Sequence, residues 1–372
     1  MTMIAVLDKI PGTSGQHTAF LDALRGAGFS GEIETDHDTR LVHATDNSIY
    51  QRYPQAVVFP KDQADLVCLA RLAGLAEWRD VVVAPRGGGT GTNGQSLTEG
   101  IVVDLSRHMN RILEINVEEK WVRVEPGVVK DQLNAAIALH GLFFAPELST
   151  SNRATIGGMI STDASGQGSC TYGKTRDHVL ALSTVLVGGE ILCSEKLDAA
   201  GLSAQRQGTS HVARIFDCVA GICEQEKETI ERVFPKLNRC LTGYDLRHLR
   251  DDEGRFDLTS LICGSEGTLG LLAEAKLNLL AIPRHSILVN IRYDSFMEAL
   301  RDARALIGLK LCRSRRSIQR CLVWPCRISS GIRSRAIFPK MRRARPRDLI
   351  WSSLPGMTRG CCARTYPRFS TT

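Results

Sequence analysis

The segment PRGGGTGTNG at 85–94 constrains this chain more than any other. It places Gly87, Gly88, Gly89, Gly91 and Gly94 within eight positions, directly after the apolar run VVVAP. Each glycine adds chain entropy that folding must remove, so such density needs a reason. Without side chains, successive backbone N–H groups approach an anion closely and take positive φ at no steric cost. Diphosphate suits such a loop, and Arg86 places a positive charge beside it. Two familiar patterns overlap the segment. Gly89, Gly91 and Gly94 have the spacing of the dinucleotide fingerprint, with Glu114 roughly 20 residues further on. That fingerprint needs its last glycine to open a helix, whereas QSLTEG reads as a turn running into the strand IVVDL. The Walker spacing is also met, but Gln95 stands where that loop needs a lysine. Neither a Rossmann unit nor an ATPase is expected.

A second glycine-rich stretch, ATIGGMISTDASGQGSCTYGKTRDHV at 154–179, is the companion. Gly157 and Gly158 are placed to let a helix N-terminus face a phosphate. Ser161, Thr162, Ser165 and Ser169 supply hydroxyls, while Gly166, Gly168 and Gly173 keep the backbone close. A third, GSEGTLG at 264–270, carries Glu266 in its middle. Several such loops separated by short strands point to one long ligand held along its length.

Between the loops the pattern is α+β. TAFLDALRGAGF reads as a helix, and an irregular lead-in containing TDNSIYQRYP follows it. AVVFP (56–60) is strand-like, and Gln63 to Trp78 reads as one helix with Leu66, Leu69, Ala70 and Ala73 on one face. IVVDL, ILEI and WVRVE are short strands, and Val129, Leu133, Ala136 and Ile137 mark another helix. Residues 179–193 read as a hairpin turning at Gly188-Gly189, and EQEKETIER (224–232) as the solvated face of a surface helix. ILVNIRY (287–293) and SFMEALRDARALIG (295–308), with Ser295 as N-cap, read as a strand and a helix.

Charge and cysteine divide the 372 residues near Lys310. Beyond it, 14 Arg and one Lys face a single acid, Asp348, whereas the first 310 residues carry 32 basic and 39 acidic side chains. Five of twelve cysteines crowd the same last stretch, and no CxxC spacing for zinc or iron–sulfur binding occurs anywhere. Three readings of that stretch are open: a basic arm for nucleic acid or acidic lipid, a natural disordered tail, or a change of reading frame near residue 310. The third accounts best for its Arg, Ser, Pro and Cys excess and its lost periodicity, and leaves the tail unstructured with no nucleic-acid partner expected. No apolar run reaches the ~18 residues of a membrane span, and the opening MTMIAVLDKIPG lacks a secretory cleavage pattern, so a cytoplasmic setting is expected.

Taken in order, VVFPKDQADL, PRGGGTGTNG, VRVEPGV, ATIGGMISTDASGQGSCTYGKTRDHVL and GSEGTLG resemble the PCMH-type FAD-binding domain of the vanillyl-alcohol oxidase superfamily. ATDNSIYQ, RHMNRILEI, FAPELSTSNRATIGGM and FPKLNRCLTGYDLRH are most similar to bacterial FAD/iron–sulfur D-2-hydroxyacid dehydrogenases of the D-2-hydroxyglutarate and D-lactate type. The resemblance covers roughly residues 20–310. It implies two α+β subdomains, with a lead-in at 1–50, the FAD domain at 51–285, the start of a cap domain at 286–310 and the tail at 311–372. It implies hydride transfer from the α-carbon of a small 2-hydroxyacid to flavin N5. It also implies that the chain alone is inactive, because the cap and iron–sulfur modules of the full-length family lie beyond what it shows. An iron–sulfur cluster, and contact with a membrane surface or electron acceptor, are expected only of that full-length enzyme.

By the same resemblance, Arg86, Gly87, Gly88, Gly89, Thr90 and Gly91 would carry the FAD diphosphate, with Thr92 and Asn93 nearby and Pro126-Gly127 flanking the flavin. Thr155, Gly157, Gly158, Ser161, Ala164, Ser165, Gly168, Tyr172 and Gly173 would line the ring and ribityl region. Glu266, Gly267 and Leu269 would close the adenine side or the back of the ring. The first loop holds no His or Cys, so the FAD is expected to be non-covalent. No two of the nine histidines lie at i,i+4, and no metal signature is present. His178 and His248 are the two nearest to these motifs, and for each a hydrogen-bonding structural role is the favoured reading. No catalytic residue is assigned.

Overall fold

The computed structural model describes residues 12–307 apart from 167, 236, 238–242 and 294, and, further on, only the backbone strands within 313–351. Two compact units result, one of residues up to Ser169 with Gly173–Ile282, the other of Cys170–Tyr172 with the described residues from Pro283 on.

In the first unit, α1 (Gly15–Gly26) starts at Ser14, whose hydroxyl accepts the His17 N–H. The lead-in then holds two elements that its sequence did not announce, β1 (Glu32–Glu34) and α2 (His37–His43). The side chain of Asp36 caps α2 by accepting from the N–H groups of Asp38 and Thr39. β2 (Ala56–Phe59) is buried throughout, as a strand covered on both faces must be. α3 (Gln63–Ala73) stops at Gly74 instead of running to Trp78, and a separate 3₁₀ turn covers Ala76–Trp78. A Cβ on Gly74 would fall 2.8 Å from the backbone nitrogen of Gly188, so the helix ends where the 188–189 turn packs on it. β3 (Val83–Arg86) and β4 (Ile101–Asp104) complete a four-stranded sheet of order β1-β2-β4-β3, parallel except for β1.

The larger sheet is built from hairpins. β5 (Ile112–Asn116) and β6 (Trp121–Val124) are followed by α4 (Lys130–Ala138), β7 (Leu142–Phe143), and the short helices α5 (Ile156–Ser161) and α6 (Ser169–Tyr172). β8 (Val179–Val185) and β9 (Ile191–Leu197) form the expected hairpin, with Gly188 and Gly189 both at positive φ. α7 (Ala199–Gln205), α8 (His211–Gln225) and α9 (Lys227–Val233) follow, so the 224–232 segment spans the junction of two helices at Glu226. β10 (Phe256–Asp257), α10 (Thr259–Ile262), β11 (Leu271–Asn278) and β12 (Leu280–Ala281) end the unit. The sheet order is β10-β9-β8-β11-β6-β5, all antiparallel.

Among the described residues these sheets organise two large hydrophobic cores, and β11 serves both. Leu271 and Ala273 join the core of Phe20, Leu24, Leu66 and Ile101, whereas Ala275 and Leu277 join that of Leu133, Phe144, Ile156 and Phe216. A strand of strict period 2 would keep these four on one face; the register shift between Leu272 and Glu274 breaks that period.

In the second unit, β13 (Ser286–Tyr293) precedes α11 (Phe296–Ile307), whose Glu298 N–H is capped by the Ser295 hydroxyl. The Arg- and Cys-rich stretch, expected to be without structure, contributes β14 (Arg313–Ser314), β15 (Ser317–Gln319), β16 (Cys321–Ser329) and β17 (Leu349–Trp351). β16 and β17 both pair antiparallel with β13. The rest of that stretch lies outside the described residues.

Candidate functional site

A cleft of about 320 Å³ opens in the first unit, where the three glycine-rich loops meet. The first loop leaves the end of β3 and rests on the second. A Cβ on Gly87 would come within 2.1 Å of the Thr155 hydroxyl, and one on Gly88 within 2.1 Å of the Arg153 carbonyl oxygen. Glycine is therefore demanded at both positions by contact between loops. Gly89 is at φ +59° and Gly94 at +75°, which favours glycine at each. Among the described residues, no protein acceptor meets the N–H groups of Gly88, Gly89, Thr90, Gly91 or Thr92. They form a run of free donors along the cleft, as an anion needs.

Arg86 lines the cleft, but its guanidinium already has protein partners. Its guanidinium donates to the carbonyl oxygens of His43 (3.2 Å) and Thr45 (2.7 Å), at the end of α2. Burial pushes its pKa down, against the attraction of Asp104 and Asp46. The Asn47 N–H donates to the Gly89 carbonyl at 3.1 Å, so the lead-in braces the loop from behind. His43 reaches Asp104 at 3.1 Å on the same side. Burial alone would raise the Asp104 pKa, but hydrogen bonds from His43 and Ser106 outweigh it and hold the carboxyl below its ordinary range.

The second loop differs. The Gly157 N–H donates to the Pro126 carbonyl at 2.8 Å, the Gly158 N–H to the Thr155 hydroxyl at 3.3 Å, and the Ile156 N–H to the Val128 carbonyl at 2.8 Å. The expected presentation of the Gly157 and Gly158 amides to a phosphate is not what the structure shows, because the protein itself satisfies them. Both residues still line the cleft. The third loop rests on the end of α5, with the Gly264 N–H on the Ile160 carbonyl and the Glu266 N–H on the Ser161 carbonyl.

Fifteen expected residues line this one cleft: Arg86 to Thr92, Pro126, Thr155, Gly157, Gly158, Ser161, Ala164, Ser165 and Glu266. Seven others do not, six of them for reasons of packing. The Asn93 N–H turns to the Gln95 side chain. Gly127 lies against the backbone of Leu105 and Met109, and Gly267 against the ring of Pro85. Gly168 is buried before α6, and Gly173 sits at φ +79° against the Asp177 carboxylate. Leu269 packs on the larger hydrophobic core. Tyr172 belongs to the second compact unit. Gln95, Leu148, Thr150 and Asp163 line the cleft without having been anticipated. The Gly91–Gln95 contact, 2.7 Å from a Cβ at Gly91, joins residues of a single turn and was the most accessible of these to sequence reading.

Two observations test the cleft against a flavin nucleotide. The free amides suit a diphosphate, and the Ser165 hydroxyl oxygen is buried with no partner, as a donor kept for a ligand would be. The residues fit. Neither histidine belongs to the lining: His178 is buried with its ring edge-on to Phe144, and His248 lies 2.8 Å from Asp245.

Residues 54–194 match the FAD binding domain family. The chain carries an FAD-binding domain of the PCMH type. Over 308 residues it is 63% identical to the D-2-hydroxyglutarate dehydrogenase of Pseudomonas putida, covering 83% of this chain and 30% of that protein. It is 53% identical to the Escherichia coli D-2-hydroxyglutarate dehydrogenase, covering 81% of this chain and again 30% of the relative. The chain thus spans under a third of the length of these relatives. In fold, the chain is similar to a solved alkyldihydroxyacetonephosphate synthase, at a TM-score of 0.59 and 18% identity over 82% of this chain and 48% of that one.

Proposed function

We propose that this chain is the flavin-binding part of a D-2-hydroxyacid dehydrogenase, holding FAD non-covalently for the oxidation of a small 2-hydroxyacid in the cytoplasm. The observation that carries the reading is the run of amides at Gly88–Thr92 that have no partner among the described residues, in a cleft also lined by Ser165, whose buried hydroxyl has none either. When bound, FAD supplies the two-electron acceptor for oxidation at the α-carbon. The protein's own contribution is to bind and orient. The first loop offers fixed N–H dipoles that need no reorganisation to meet a diphosphate, and Ser165 offers a hydroxyl to the ring or ribityl region. Thr155 caps α5 and so fixes the Gly157-Gly158 wall. The lead-in bonds to Arg86 and Gly89 keep the first loop in register with that wall.

The ionisable residues of the described lining are Arg86, Asp163 and Glu266. Arg86 is bound to carbonyls and Asp163 to Lys174, and Glu266 is exposed on the third loop. None is a histidine poised to take a hydroxyl proton. The cleft therefore does the cofactor's half of the work, and the base and substrate contacts come from elsewhere in the longer enzyme. Purifying the full chain with FAD and recording its visible spectrum tests this. The expected product is yellow, carries FAD that denaturation releases, and is not bleached by D-2-hydroxyglutarate. A folded, colourless protein overturns the flavin reading, and bleaching by the hydroxyacid overturns the division of labour.

A further inference from the structure

Asp163 ends α5 in a conformation made for glycine. Its N–H donates to the Ile160 carbonyl (3.0 Å) and the Ala164 N–H to the Met159 carbonyl (2.8 Å), the paired bonds of a Schellman cap. The residue between them takes the left-handed position, and Asp163 does so at φ +44°. Aspartate tolerates that region less well than glycine, so the turn alone does not account for it. What aspartate adds is a buried carboxylate. One oxygen accepts the Arg176 N–H at 3.0 Å, and the other meets the Lys174 ammonium at 2.5 Å, with the two side chains only 6% and 3% exposed.

Such a pair is a poor route to stability, because desolvation offsets its attraction; fixing one arrangement is the better-attested use. The arrangement here is a neck between two strands of chain. The N–H and hydroxyl of Thr175 both donate to the Ala164 carbonyl, at 3.0 and 2.7 Å. Four bonds therefore tie residues 163–164 to 174–176, and the next residue, Ser165, carries the orphaned hydroxyl in the cleft. We propose that Asp163 and Lys174 are positioning residues for the cofactor, a charged clamp that holds Ala164 and Ser165 at the ligand. This deepens the flavin-binding reading and rests on it.

The test uses the full chain and the double variant Asp163→Asn/Lys174→Met. Asparagine keeps the left-handed turn and an acceptor for Arg176, while methionine fills the lysine stem, so the fold is retained without the charges. A second variant, Asp163→Gly/Lys174→Met, removes any dependence on the asparagine side chain. Amide hydrogen exchange at 164–166 and 175 is read in the FAD-free protein, and FAD affinity and the visible circular dichroism of bound flavin in the loaded one. The expected result is a melting temperature at or above the parent's, exchange faster by about tenfold, FAD affinity weaker by about tenfold and an altered flavin dichroism. Parental exchange rates and parental dichroism in both variants overturn the clamp. If the parent chain takes up no FAD, the flavin reading fails by itself, and the exchange rates still decide whether the clamp exists.

Discussion

The two glycine loops at 87–94 and 157–173 look alike in composition and use their backbones in opposite ways. In the first, the amides of Gly88 to Thr92 are left free among the described residues, and Gly87 and Gly88 exist so that the loop can lie on Thr155 and Arg153. In the second, the amides of Ile156, Gly157 and Gly158 are consumed by Val128, Pro126 and Thr155. Gly157 is there because Pro126 leaves its Cβ no room, at 2.7 Å, whereas a Cβ on Gly158 meets only the Thr155 hydroxyl at 3.2 Å. Glycine density therefore reports close approach, and only the hydrogen-bond inventory says whether a ligand or the protein is what approaches.

The largest effect is expected where that approach is tightest. Gly88→Ala drives a methyl into the Arg153 backbone carbonyl, which cannot rotate away as a side chain would. The expected loss is about 2–3 kcal/mol in thermal or urea denaturation, together with most of the flavin uptake. An alanine at this position that melts like the parent breaks the claim that the loops seat on one another.

A paired substitution sharpens the contrast inside the second loop. Gly157→Ala, against the Pro126 ring, should cost about 1–2 kcal/mol. Gly158→Ala lies on a helix where its Cβ would meet only the Thr155 hydroxyl, at 3.2 Å, so a small displacement of that cap and the lower backbone entropy of the unfolded chain should offset one another to within about 0.5 kcal/mol. Its expected effect is on binding: a methyl on the cleft wall weakens FAD by several-fold with an unchanged melting temperature. Equal stability losses at the two positions would show that both glycines serve packing and that neither is kept for the ligand.

This contrast also marks what sequence could and could not supply. The first loop was legible because its chemistry is local: a strand, then glycines with no helix to consume their amides. The Gly188-Gly189 hairpin and the Ser295 cap were legible for the same reason. The Gly157 amide was misassigned because its acceptor, Pro126, becomes visible only once α5 packs on the 126–128 segment, whereas the Gly158 acceptor, the Thr155 cap three residues away, was a local signal passed over. Gly127 and Gly267 were assigned to the ligand by their place in a motif, yet their neighbours, Leu105 and Pro85, are backbone and ring contacts from elsewhere in the chain. Helix α3 ended early for a reason 114 residues away, the turn at Gly188. The Arg86 guanidinium is taken up by the carbonyls of His43 and Thr45, which α2, absent from the sequence reading, leaves to be satisfied.

The smallest predicted effect separates the loops by their response to acid. Behind the first, Asp104 has a pKa held below its ordinary 3.8, so its contribution is full at neutral pH and is lost only in strong acid. Behind the second, Arg176 is paired with Asp245, and His248 lies 2.8 Å from that carboxylate and 3.1 Å from the guanidinium. Burial first, then the charges of Arg176, Arg247 and Lys174, lower the His248 pKa from 6.5 to about 4. Between those values the unfolded chain takes up a proton that the folded one refuses, so stability must fall as the pH drops from 6.5 towards 4. Because 43% of the His248 side chain is exposed, solvent screens part of this, and the expected loss is a few degrees of melting temperature. His248→Gln, which cannot titrate, should flatten the slope in this window while leaving the steeper loss in stronger acid untouched. A variant that keeps the parental slope would place the acid sensitivity outside the second loop's neck, and the two loops would then share one electrostatic support.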